Sequence, residues 1–174
     1  MMAINSRIQR LTVYEDLLRL GARNNIIKRF FPSPHIAKLI GEVEPETPPV
    51  RGGVRRFLSS DGLLIANSLY NRLAYLEPDN ADARRQIKPE TLLALTKFAR
   101  LSLPHHAGTS EDIDCNRVAV LFDLIREGRF CKATCNVCGE SFLRSDDSVV
   151  CTCVKCKFIS AGKSKSKPVN NPEL

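Results

Sequence analysis

Six of the chain's seven cysteines fall in its last 44 residues. Four of them form two C-x-x-C knuckles, Cys135-Asn136-Val137-Cys138-Gly139 and Cys153-Val154-Lys155-Cys156, with fourteen residues between them. Two intervening residues let both sulfurs of a knuckle face one point, and a glycine after the second cysteine permits the tight turn. Four thiolates at about 2.3 Å complete a tetrahedral Zn²⁺ and leave no position for substrate. The expected chemistry is therefore structural, with one zinc per chain held by Cys135, Cys138, Cys153 and Cys156. Thiol–disulfide chemistry and a one-iron thiolate centre compete with zinc. The first of these normally needs an exposed low-pKa knuckle in a thioredoxin-like βαβ setting, and the pattern here has none. Cys131 and Cys151 have no assigned role, although Cys151 could displace Cys153 only by giving up the two-residue knuckle. Cys115 sits in a helical pattern beside Val118 and reads as a small buried hydrophobe. Lys132, Lys155 and Lys157 are close enough in sequence to offset the −2 charge of an ion with four thiolates.

The elements that must position these cysteines are mostly helical. Ile8, Leu11, Leu17 and Leu18 predict a helix from Ser6 to about Leu20, capped by Asn5 or Ser6. A second, Ala22 to Phe31, buries Ala22, Ile26, Ile27 and Phe30. Ser33 as cap and Pro34 as first residue then open a helix with Ile36, Leu39, Ile40 and Val43 on one face. Helix, turn and short helix in a basic setting outline a helix-turn-helix, with His35 and Lys38 on the outer face. Two core helices with a solvated face fit the same pattern. Pro45, Pro48 and Pro49 make the next stretch extended, ending in a flexible basic arm that carries Arg51, Arg55 and Arg56.

Further helices are expected over Asp61–Leu76, from Pro89 to before Pro104, and after a capping box at Thr109 and Asp112. Gly128 ends the last of these. Ser141–Leu143 and Ser148–Val150 read as short strands between the knuckles. The whole predicts a mainly α chain: a helix-turn-helix-like N-terminal domain and a small four-cysteine zinc-ribbon-like module. Its divisions are residues 1–56, a partner-binding helical middle over 57–128, the zinc module over 129–160, and a flexible basic tail over 161–174.

Charge adds a second line. The 174 residues carry a net +7, distributed unevenly. Residues 1–56 hold ten bases against five acids, 57–125 seven against nine, and 126–174 nine against five. Two basic ends around a slightly acidic middle suggest an anionic polymer at the ends and protein at the middle. No apolar run reaches the roughly 18 residues of a membrane span, and the first ten residues lack the apolar stretch of a secretory signal. A cytoplasmic location is expected. Trp is absent and aromatics are 6%, which argues against carbohydrate sites. With no P-loop, dinucleotide glycine pattern, zinc-protease motif or open metal position, the chain does not read as an enzyme.

Several segments together resemble the C subunit of the FlhD–FlhC flagellar master regulator. They are Leu20-Gly21-Ala22-Arg23, Leu39-Ile40, the pair Pro48-Pro49, Leu92-Leu93-Ala94-Leu95-Thr96, Glu127-Gly128, and the two knuckles with Phe142 between them and a lysine-rich tail after. The resemblance implies a cytoplasmic transcription activator that binds double-stranded DNA, assembles with a small helical D-type subunit and recruits RNA polymerase. It implies zinc on the four knuckle cysteines, and flagellar promoters or, for a mobile-element relative, conjugative-transfer promoters. DNA contact by His35, Lys38, Arg51, Arg55 and Arg56 is inferred from charge and position. The competing reading is a zinc-ribbon adaptor that binds protein only.

Overall fold

A computed structural model describes residues 2–33, 43, 55–102 and 113–163. Helices dominate. α1 (Met2–Arg19) runs back past the expected Asn5 or Ser6 cap, and its inward face is Val13, Tyr14, Leu17 and the following Leu20. Ile8, expected inside, is 57% exposed. α2 (Asn24–Phe30) buries Ile26 and Ile27 as its pattern predicts, and Phe31 closes edge-on against Tyr14 at 5.2 Å. Residues 34–42, including His35 and Lys38, lie outside the described residues, as do 44–54 with Arg51. The second helix of the expected helix-turn-helix falls there.

Arg55 and Arg56 are corrected. They belong not to a flexible arm but to a one-turn helix, α3 (Arg55–Leu58). Phe57, only 1% exposed, is the anchor that holds this turn on the body. Ser59 then caps α4 (Ser60–Leu76), its hydroxyl accepting from the Gly62 amide at 3.1 Å. Ile65, Ala66, Leu69, Tyr70 and Leu73 form its buried stripe. A 3₁₀ turn (Pro78–Asn80) follows. The buried Glu77 ties this corner together, accepting from the Lys88 amide at 2.7 Å and the Asn80 side chain at 3.0 Å.

α5 (Pro89–Ser102) opens at the expected proline and buries Leu92, Leu95, Thr96 and Ala99. α6 (Cys115–Arg126) is capped by Asp114, which accepts from the Arg117 amide at 2.9 Å. The expected capping box at Thr109 and Asp112 lies outside the described residues. Asn116 fastens α6 to the α1–α2 turn. Its amide donates to the Gly21 carbonyl, and its oxygen accepts from the Arg23 N–H, both at 2.8 Å. One hydrophobic core runs from Val13 through Phe57, Leu69 and Leu121 to Leu143. The expected divide at residues 56/57 thus does not separate two cores. No helix among the described residues is long and apolar enough to cross a membrane.

Candidate metal centre

Gly128 stops α6 with φ +77°, a left-handed conformation in which a side chain is strained. The Arg129 amide reaches back to the Leu124 carbonyl at 2.9 Å, and the chain turns into a strand. β1 (Phe130–Thr134) pairs antiparallel with β2 (Ser141–Ser145), Lys132 standing opposite Leu143. The first knuckle is the turn between them. The Cys135 amide donates to Glu140 O and the Gly139 amide to Cys135 O, both at 2.9 Å, with Gly139 at φ +74°. The second knuckle leads into α7 (Val154–Lys163). The module is therefore strand, knuckle, strand, knuckle, helix.

Ser148–Val150, expected as a strand, is irregular chain that follows a turn at Asp146–Asp147. The Ser148 amide bonds Ser145 O at 3.0 Å and Val149 is 91% exposed. β2 already ends at Ser145, and at Leu143 its outer edge is taken by a side chain from α4. The Asn67 oxygen accepts from the Leu143 amide at 2.6 Å, and its nitrogen donates to the Leu143 carbonyl at 3.3 Å. Alternation along β2 does the rest, turning Leu143 into the helical core and Phe142 into a second cluster with Cys135, Cys153 and Cys156. This clamp was not legible in the sequence, where Asn67 is one polar residue on a helix. β1 was missed too, although Phe130 to Thr134 alternates buried and exposed residues along much of its length.

The sulfurs of Cys135, Cys138, Cys153 and Cys156 all lie within 4.8 Å of one another. A tetrahedron with bonds of about 2.3 Å has edges of about 3.8 Å, and the Cys138–Cys153 sulfur separation is 3.8 Å. Main-chain N–H groups aim at the sulfurs: Cys153 N at 3.3 Å and Val137 N at 3.4 Å to Cys135 Sγ, Cys156 N at 3.5 Å to Cys153 Sγ. The Cys153 amide, above all, pulls the Cys135 thiol down to about 6. The neighbouring Cys153 sulfur, with burial, pushes Cys156 up to about 12, because crowded thiols resist losing successive protons. A cation among them removes that resistance. The donor set fits a metal ion.

Cys151 is settled by its backbone. Its carbonyl accepts from the Asn136 amide at 2.9 Å, bridging the two knuckles, while its exposed thiol points to the Val149 carbonyl at 3.4 Å. Cys131 stands half-buried on β1, apart from the group. The Lys132 ammonium sits 3.7 Å from Asp82 in an exposed pair. Cys115 is the buried thiol expected, directed at the Leu20 carbonyl at 3.6 Å and pushed up to about 12 by burial and then by Asp114. Compared with protein-family models, curated proteins and solved structures, the chain matches none.

Proposed function

We propose that this chain is a DNA-binding transcriptional activator subunit whose C-terminal module is built on one structural zinc ion. Four convergent thiols with no gap for a substrate suit zinc in that role. The observation that carries the DNA half is the charge distribution. Ten bases against five acids in residues 1–56 and nine against five in 126–174 flank a middle of opposite sign. Phosphate contact falls to the basic segments, with His35 and Lys38 at base edges and Arg51, Arg55 and Arg56 on the backbone. A small helical D-type subunit covers the middle, and the complex recruits RNA polymerase to flagellar or conjugative-transfer promoters, in line with the FlhC resemblance.

A protein-only adaptor is favoured by one feature, the exposure of Tyr75 (79%) and Leu101 (85%) on the helical body. Filter binding to specific and scrambled duplexes over a salt series, with the D-type subunit present, separates the two. A DNA-binding subunit gives log affinity falling linearly with log salt. Absent or salt-independent binding makes the chain an adaptor.

A further inference from the structure

One edge of the hairpin is unused. Its ladder alternates: Asp146 N donates to Arg129 O at 3.0 Å and Cys135 N to Glu140 O at 2.9 Å, which sets residues 129, 131, 133 and 135 facing β2. Leu143, opposite Lys132, turns its N–H and C=O to Asn67 instead. The N–H and C=O groups of Phe130, Lys132 and Thr134 therefore point away from β2, and among the described residues nothing bonds them. Phe130 is 2% exposed, so the open part of this edge is Lys132 and Thr134. Two cavities of about 550 and 650 Å³ open beside this edge, sharing Tyr70, Asp82 and Lys132.

We propose that the outer edge of β1 binds an extended acidic peptide segment of a partner protein, which adds a third strand to the hairpin. Backbone bonds to Lys132 and Thr134 supply the attraction, as in other strand additions. The walls select the charge. Around the two cavities together the larger share of ionised groups is basic, Arg84, Arg126 and Lys132 against Asp82 and Glu140. Arg126 is already held by Asp123 at 2.8 Å, which leaves Arg84 and Lys132 for an incoming carboxylate. The Lys132–Asp82 pair is long and exposed on both sides, so it exchanges readily for a better partner.

A second copy is a poor occupant. An antiparallel pair centred on the strand's middle residue sets Lys132 against its own counterpart, and like charges directly opposite are unfavourable. A nucleic acid offers Arg84 a phosphate but no backbone ladder to match alternating N–H and C=O groups.

The test is amide hydrogen exchange by NMR on the full-length protein with its metal retained, using a seven-residue peptide that alternates valine and glutamate. The peptide is expected to slow exchange at Lys132 and Thr134 at least tenfold. Cys131 and Ala133, already bonded to β2, change little. A peptide with lysine in place of glutamate has no such effect. Lys132→Glu reverses that preference between the two peptides. Lys132→Pro, which removes an outward N–H without costing a β1–β2 bond, abolishes the slowing. No slowing at saturating peptide overturns the proposal. So does slowing produced by a single-stranded DNA oligonucleotide instead, or by raising the protein concentration alone. Failure of DNA binding in Arg55 and Arg56 variants leaves this readout untouched, since the two surfaces share no residue.

Discussion

Removing the Asn67 side chain tests how the helical body holds the metal-bearing hairpin. Asn67→Ala leaves the Leu143 N–H without its 2.6 Å acceptor and the Leu143 C=O without its 3.3 Å donor. Leu143 is 1% exposed, so water does not replace them easily. A buried polar group left unsatisfied costs about 1–3 kcal/mol, and the longer bond counts for less, giving about 2–4 kcal/mol in all. Alanine's better helix propensity returns about 0.5 kcal/mol. The net loss of about 1.5–3.5 kcal/mol corresponds to roughly 3–14 °C in Tm for a chain of this size. Thermal denaturation followed by circular dichroism reads the shift, and hydrogen exchange reads the Leu143 amide, which should lose its protection. Asn71→Ala on an exposed position of the same helix is the control and costs nothing measurable. A variant at Asn67 with unchanged Tm and a still-protected Leu143 amide refutes the clamp.

Three further outcomes follow from the same contacts. Cys138→Ser or Cys156→Ser abolishes metal retention and folding of the C-terminal module, whereas Cys151→Ser and Cys115→Ser keep the metal, as metal analysis of the purified variants will report. Glu77 titrates below its ordinary 4.5 because, although burial opposes its charge, donors from Thr91, Lys88 and Asn80 outweigh that effect. Its depressed pKa means the unfolded chain takes the proton first. The stability it supplies is present above about pH 4.5 and is lost as pH falls through the lower folded value; urea midpoints from pH 3 to 7 should show that loss flattened in Glu77→Gln. Replacing Arg55 and Arg56 together with alanine should flatten the slope of log affinity against log salt by about two on all duplexes alike, and an unchanged slope removes both from the DNA interface.

What the sequence disclosed depended on periodicity and covalent spacing. The stripe of Ile65, Leu69 and Leu73, the proline start at Pro89, and the stop at Gly128 are local signals, and the structure has each where the pattern put it. The knuckle spacing likewise identified which four sulfurs converge. Long-range choices were not legible. Ile8 fits the α1 pattern but faces solvent, because the core contact is made a few residues later at Val13, Tyr14 and Leu17. Ser148–Val150 has strand composition, but the β2 edge next to it in sequence is taken by Asn67 at Leu143. Arg55 and Arg56 follow two glycines and read as an arm, yet the burial of Phe57 pulls that turn into helix.

The most direct measurement of the metal centre is X-ray absorption at the zinc edge on the full-length protein, with metal content determined on the same sample. One zinc per chain with four sulfur neighbours at about 2.3 Å and no oxygen or nitrogen in the first shell is the predicted result. A three-sulfur site with a light-atom ligand opens a coordination position, and would contradict a purely structural ion. Absence of metal from protein that is fully folded through residues 130–163 would contradict the centre itself.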